Sequence, residues 1–226
     1  MKVLAIDIGG TNLKVLASGQ AEKRDLPSGP TLTPRRMVTA ATRLARGWAY
    51  DVVSMGYPGP VQDNRPTREP FNLASGWVGF DFARAFGKPV RVLNDAAMQA
   101  LGSYHGGRML FLGLGTGLGS ALVINGGVEP LELAHLPFKK GMTFEDYVGL
   151  RGLERLGKAK WRKEVVAVVA MLQAAMQADY VVIGGGNAKK LAEAPPGAEL
   201  GSNDKAFIGG FRMWESPAKA RQRAHP

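Results

Sequence analysis

The stretch VRVLNDAA, residues 90–97, ends an apolar run on Asn94 and Asp95, where a helix start is signalled. An acid in that place can take the proton from a hydroxyl as it attacks a phosphoryl group, the task Asp performs in kinases. Asn94 beside it can hold a neighbouring hydroxyl. The plainer alternative is that both residues cap the helix. Two glycine turns favour phosphate chemistry. Residues 3–18, VLAIDIGGTNLKVLAS, place Asp7, Gly9, Gly10 and Thr11 between two strand-like runs; residues 109–124, MLFLGLGTGLGSALVI, do the same with Gly115, Thr116 and Gly117. Glycines let successive N–H groups point at one anion with no Cβ in the way, and threonine adds a hydroxyl. Asp7 can hold a hydrated Mg²⁺ against the phosphates. Two tight hairpins built of small residues are the alternative.

Further groups could handle a polyol. In EPLELAHLPF, Glu132 and His135 are three residues apart and would share a face on a helical turn. In FNLASGW, Asn72 can bind hydroxyls and Trp77 can cover an apolar sugar face. In VVIGGGNAKKL a strand enters Gly184, Gly185 and Gly186 and a helix is expected to follow, an arrangement suited to close approach by a flat ring or a sugar. Known phosphate loops do not explain the turns. GLGTGLG has Gly113 and Gly115 in place for a dinucleotide fingerprint but Leu118 where the last glycine belongs, and no Walker A sequence occurs.

The elements that must carry these residues alternate. Strands are expected at 2–8, 13–17, 52–55, 90–93, 109–114, 120–124 and 180–183, and helices at 37–45, 80–86, 96–104 and 163–178. Hairpins followed by strands alternating with helices imply an α/β protein with mixed sheets. The two hairpins form an internal repeat in which Asp7 falls on Gly113, Gly9 on Gly115 and Leu13 on Gly119. Two similar hairpins suggest two similar domains whose turns face each other across a cleft.

The 226 residues hold no cysteine, which removes disulfides and thiolate metal sites and fits a reducing cytoplasm. Asp7 interrupts the first apolar run too early for a signal peptide, and 165–176 is too short to span a bilayer, so no membrane association is expected. The net charge of +10 has two readings: generic solubility, or a polyanionic partner. Aromatics are not interleaved with the basic residues, so a phosphate chain is favoured over nucleic acid.

Together these motifs resemble the ROK family of sugar kinases, over residues 3 to about 214. DIGGTNLK is similar to its first phosphate motif, LGLGTGLGSAL to its second, NDA to its catalytic motif, ELAH to its sugar-binding Glu-x-Gly-His, and IGGG to its nucleotide-side motif, which places Gly184, Gly185 and Gly186 there. Within the family, GYPGPV, NLASGW and VLNDA look most like bacterial polyphosphate glucokinases. The resemblance implies a duplicated actin-like (ribonuclease H-like) α/β fold, with two mixed-sheet domains flanking a cleft: 1–94, then 95–203, then a C-terminal helix at 204–215 packing back on the first domain, with a disordered basic tail at 216–226. It implies a cytoplasmic homodimer that transfers a terminal phosphoryl group to the 6-hydroxyl of glucose. Carried over, Asp95 is the general base; Asn72, Asn94, Asp95, Glu132 and His135 contact the sugar; Gly9, Gly10, Thr11, Lys14, Gly115, Thr116 and Gly117 hold phosphate; and Asp7 places Mg²⁺.

The chain departs from the pattern in places. Many members bind zinc through three cysteines and the motif histidine; with no cysteine here, no zinc is expected. Ala134 replaces the motif glycine. The region after Ile183 is short, leaving little material for an adenine pocket, and residues 139–163 are rich in Lys and Arg. Both features favour polyphosphate as donor, alone or beside ATP. No helix-turn-helix precedes the first strand, so a repressor is not expected. The competing readings are a kinase of mannose, fructose or an amino sugar, and a catalytically silent sugar-binding protein.

Overall fold

β1 (Val3–Ile8) is buried at every position but Asp7, because it lies in the middle of a sheet. β2 (Asn12–Ala17) returns antiparallel and alternates half-buried with buried, as a strand with one covered face does. β3 (Arg24–Pro27) pairs outside it. The chain then crosses through α1 (Pro34–Leu44), capped by Thr33 with Pro34 in its first turn, to β4 (Val52–Tyr57), which lies parallel to β1. A two-residue hairpin, β5 (Val61–Gln62) and β6 (Arg65–Pro66), precedes α2 (Phe82–Phe86) and β7 (Val90–Asn94), parallel to β4. The sheet order is β3-β2-β1-β4-β7. Its core includes Leu4, Ile6, Leu13, Met37 and Trp77.

This order repeats. After α3 (Asp95–Ser103) come β8 (Arg108–Leu114), β9 (Leu118–Ile124) and β10 (Gly127–Leu131), a 3₁₀ turn at Leu133–His135, and a short hairpin of β11 (Pro137–Lys139) and β12 (Met142–Thr143). α4 (Phe144–Val148), α5 (Leu150–Met176), β13 (Tyr180–Gly184) and β14 (Ala198–Leu200) follow, and α6 (Lys205–Arg212) is last. The second sheet runs β10-β9-β8-β13-β14, again antiparallel on one side of its central strand and parallel on the other. The fold is the duplicated α/β arrangement expected from the sequence. Its second core includes Leu110, Leu112, Trp161, Val165 and Val181.

The structure, a computed structural model, describes residues 1–215. The tail expected at 216–226 lies outside the described residues. Two compact units result: Met1–Met98 with Ala206–Glu215, and Gln99–Lys205. The division falls within α3 rather than at its first residue. α6 belongs to the first unit, where buried Ser54 donates to Gly210 O (2.6 Å) and accepts from Trp214 Nε1 (2.9 Å). Gly210 is required there, since a Cβ would stand 2.7 Å from that of Ala5. Among the described residues no helix is long and apolar enough to cross a membrane.

Three expectations need correction. The repeat holds through its first arm: Asp7 pairs with Gly56 as Gly113 pairs with Gly184. The return arm is offset by one, because Ile8 faces Leu13 across four intervening residues while Leu114 faces Leu118 across three. Leu13 therefore corresponds to Leu118, and Lys14 to Gly119. No α-helix directly follows the third glycine cluster; a single 3₁₀ turn, Ala188–Lys190, stands there and ends where Leu191 becomes extended. The long helix expected from 163 begins at Leu150, with a break at Gly157 (φ 71°), because Leu153 and Trp161 continue its buried face.

Candidate active site

In the first unit β1, β4 and β7 are mutually parallel, so their C-terminal ends share one edge of the sheet. Asp7, Gly56 and Leu93 lie on one row across it. The 9–12 turn and Asp95 therefore emerge at the same edge, two strand spacings or about 10 Å apart. Ligands of open α/β sheets bind at such carboxyl ends.

The first turn is closed by Gly9 N donating to Asn12 O (2.9 Å), and Ser28 holds it from outside, its hydroxyl donating to Gly9 O (2.6 Å) and its N–H to Thr11 O (2.9 Å). Among the described residues the N–H groups of Gly10 and Thr11 have no backbone acceptor. Asp7 is half-buried and paired with Lys14, directly opposite it on β2 (Oδ2 to Nζ, 3.2 Å).

Asn94 is a helix cap, as its residue type allows: its Oδ1 accepts from Ala97 N (3.1 Å), while its Nδ2 donates to Gly59 O (3.1 Å) and fixes the loop after β4. Asp95 opens α3, with Oδ1 accepting from Ala96 N (2.8 Å). Gly56 allows this approach, since a Cβ there would meet the Met98 side chain and lie 3.4 Å from Asp95 Cα.

Asn72 lies over the first turn: a Cβ on Gly10 would stand 3.3 Å from Asn72 Cβ and 3.5 Å from its Nδ2. Trp77 does not cover a sugar. It is fully buried against Tyr57 and Phe82, at ring distances of 5.6 and 6.2 Å, and its Nε1 donates to Ala74 O (2.7 Å). A large aromatic within reach of the core gains more from burial against Tyr57 and Phe82 than from a solvent-facing site. Phe71, at 97% exposure, is the loop's open aromatic.

In the second unit the 115–117 turn is closed by Gly115 N donating to Gly117 O (3.1 Å). Glu145 covers Gly117 and accepts from Leu118 N (3.3 Å), while Arg151 pairs with Glu145 (3.0 Å) and Asp146 (3.6 Å). Asn187 ties the third glycine cluster to this turn, its Nδ2 donating to Gly115 O (2.8 Å) and its N–H to Leu114 O (2.8 Å). Two of the three glycines there answer to the protein's own packing. Gly184 abuts Phe111 and Gln99, and Gly185, in the left-handed region at φ 84°, lies against the Leu114 backbone. Gly186 alone among them has open space around it.

Glu132 and His135 share a face on the 3₁₀ turn, Oε2 to Nε2 3.9 Å, and both are exposed. Buried Ser120 grips the turn from below, donating to Leu131 O (2.8 Å) and accepting from Leu133 N (3.2 Å). Half of the basic run at 139–163 is engaged structurally. Lys139 pairs with Glu164 (2.6 Å), Arg151 with the two acids above, Arg155 donates to Asp146 O (2.7 Å), and Arg162 to Lys190 O (2.9 Å). Lys140, Lys158, Lys160 and Lys163 are exposed and, among the described residues, in no ion pair.

Sequence reasoning missed Ser120, Glu145 and Asn187. Ser120 had a signal, a hydroxyl inside an apolar strand; the other two act across loops that no local pattern predicts.

Among the described residues no three of His, Asp and Glu gather as a metal site. Asp7, whose Oδ2 is paired with Lys14, would supply one carboxylate to a Mg²⁺ held mainly by water and phosphate oxygens, the usual way that ion binds beside a phosphate chain.

A profile of the ROK family matches residues 3–129. The chain belongs to the ROK family. It is 28% identical over 207 residues to the polyphosphate glucokinase of Mycobacterium tuberculosis, covering 82% of this chain and 77% of that one. Its fold superposes on the inorganic polyphosphate/ATP-glucomannokinase of Arthrobacter sp. strain KM with a TM-score of 0.76, at 22% identity over 98% of both chains. It also superposes on a ROK family glucokinase of Streptomyces griseus, crystallised with glucose and AMPPNP, with a TM-score of 0.73 at 17% identity, over 94% of this chain and 99% of that one. This chain shares the actin-like fold of these ROK structures, with the strand order repeated in its two sheets.

Proposed function

We propose that this ROK protein is a glucokinase that transfers a terminal phosphoryl group from polyphosphate or ATP to the 6-hydroxyl of glucose. The observation that carries the reading is the placement of Asp95 and the open 9–12 turn on one sheet edge, with Asn72 packed over Gly10 beside them. The similarity to a polyphosphate glucokinase supports both acceptor and donor.

In this reading Asp95 accepts the proton of the sugar hydroxyl as its oxygen attacks the terminal phosphorus. The bridging P–O bond breaks, and a phosphate chain shortened by one unit, or ADP, departs. In the first unit, Asn72 and Asn94 hold other hydroxyls, and Gly9, Gly10, Thr11 and Lys14 cradle donor phosphates. In the second unit, Glu132 and His135 are the candidate sugar contacts, Gly115, Thr116 and Gly117 the second phosphate turn, and Gly186 the open surface on the nucleotide side. Mg²⁺, held at Asp7, would neutralise phosphate charge.

The test is a coupled assay for sugar 6-phosphate with glucose, mannose, fructose and amino sugars, each with ATP and with nucleotide-free polyphosphate. Glucose is expected to be the best acceptor. Failure to phosphorylate any of these sugars with either donor would overturn the reading.

A further inference from the structure

Glu69 is an exposed carboxylate that enters no ion pair among the described residues, yet backbone N–H groups converge on it. Its Oε2 accepts from Trp77 N (3.1 Å) and its Oε1 from Val78 N (3.3 Å), with Gly76 N alongside. Gly76, at φ 97°, turns the chain so that these N–H groups point inward together. The other end of the loop is braced too, by Tyr57 Oη donating to Arg68 O (2.8 Å). Residues 70–75 are thus a closed loop on a rigid base. Leu73 and the Trp77 ring anchor it in the core, while Phe71 and Asn72 stand outside.

We propose that Glu69 is the positioning residue of this loop: it locks the base and so holds Asn72 over Gly10 for acceptor binding. The step from loop to acceptor rests on the proposed function; the lock itself does not. The physical argument is one of acceptor count. A carboxylate supplies two oxygens for converging N–H donors, whereas a glutamine amide supplies one and turns an NH₂ toward the other donor. An N–H group left unmet at the base would free residues 70–75, whose outer side chains contribute little packing of their own.

The experiment compares wild type with Glu69→Gln, Glu69→Ala and Glu69→Asp, using steady-state kinetics and amide hydrogen exchange. Glu69→Gln is expected to raise KM for glucose by about tenfold while kcat and the donor KM change less than about twofold, the split that marks lost substrate binding. Glu69→Asp, which keeps the charge, should recover part of the loss, and Glu69→Ala should show the full loss. Exchange at residues 72–78 should quicken in Glu69→Gln, with the core strands unchanged. Exchange needs no turnover, so it tests the lock even in a chain that phosphorylates nothing. Unchanged protection at 72–78 overturns the proposal whatever the kinetics. Quickened exchange with an unchanged glucose KM overturns its acceptor step and leaves the kinase reading standing. Quickened exchange in a protein that phosphorylates no sugar supports the lock and overturns the kinase reading instead.

Discussion

Lys14 reaches across the first hairpin to Asp7, Nζ to Oδ2 3.2 Å, from the position directly opposite it. The pair is partly accessible to solvent, so its contribution to stability is about 0–1 kcal/mol. That is too little to give the lysine a structural role. We therefore expect Lys14→Met to lower the melting temperature by no more than about 4 °C, while the donor KM rises about tenfold or more and the glucose KM is unchanged. Differential scanning calorimetry with steady-state kinetics checks this. A large loss of stability with an intact donor KM would make the pair a structural strut.

Asp95→Asn preserves shape and the hydrogen bond from Ala96 N but removes the proton acceptor. Turnover should fall about 10²–10⁴-fold, the usual span for a general base. Glucose affinity, measured by calorimetry, should stay within about threefold, since an amide still bonds a hydroxyl. A variant with near-wild-type turnover would remove Asp95 from the mechanism.

The parts of this fold that were legible in the sequence are those written in local pattern. β1 and β8 are continuous apolar runs because they are central strands, and the glycines after them mark the turns. The edge strands β3, β10 and β14 were not legible: they are short and mostly exposed, and pairing with a neighbour rather than composition makes them strands. The helix start at Asn94-Asp95 was legible because that motif is contiguous. Trp77 was misread because sequence does not say which way an aromatic faces, and Glu69 was missed because its partners lie a whole loop away.

Gly185 and Gly186 are adjacent yet should respond differently to alanine. Gly185 combines φ 84° with a Cβ that would collide with the Leu114 backbone, whereas nothing lies within 4 Å of a Cβ on Gly186. Left-handed strain and overpacking together predict a loss of about 2–5 kcal/mol for Gly185→Ala. Gly186→Ala should stay within about 0.5 kcal/mol and act only on ATP affinity. Urea denaturation of both variants decides the matter; equal stabilities would mean that the backbone can relax around Gly185.

The Glu69 carboxyl sits below the ordinary carboxylate range. Desolvation pushes it upward, and the N–H groups of Trp77, Val78 and Gly76 together outweigh that push. A carboxyl depressed in the folded state stabilises fully above its unfolded value, about 4.3, and loses that contribution as pH falls through the folded value. The stability difference between wild type and Glu69→Gln should therefore be constant from neutral pH down to about 5 and shrink toward zero in stronger acid. Asp146 is depressed too, by its bonds with Thr143, but it is common to both proteins and cancels in the difference. A difference that stays constant down to about pH 3, below the unfolded value, would show that the charge on Glu69 is irrelevant to the loop.

Polyphosphate use should be the more salt-sensitive activity. A phosphate chain is a dense line of charge, and each lysine that neutralises it releases counterions, so apparent affinity falls as salt rises, by the logic established for nucleic acids. The four lysines at 140, 158, 160 and 163 are the candidates, because Lys139, Arg151, Arg155 and Arg162 already have partners in the fold. ATP carries fewer charges than a polyphosphate chain. The Michaelis constant for polyphosphate should therefore climb with potassium chloride more steeply than that for ATP. Replacing Lys158, Lys160 and Lys163 by Ser should flatten the polyphosphate slope by roughly one power of salt for each phosphate no longer neutralised and leave ATP kinetics within about twofold. All three lysines are exposed, so the fold should tolerate the change. Steady-state rates with nucleotide-free polyphosphate at several salt concentrations provide the measurement. Parallel slopes for the two donors, or a triple variant with the wild-type slope, would mean that these lysines only face solvent and that the chain's basicity has no part in donor choice.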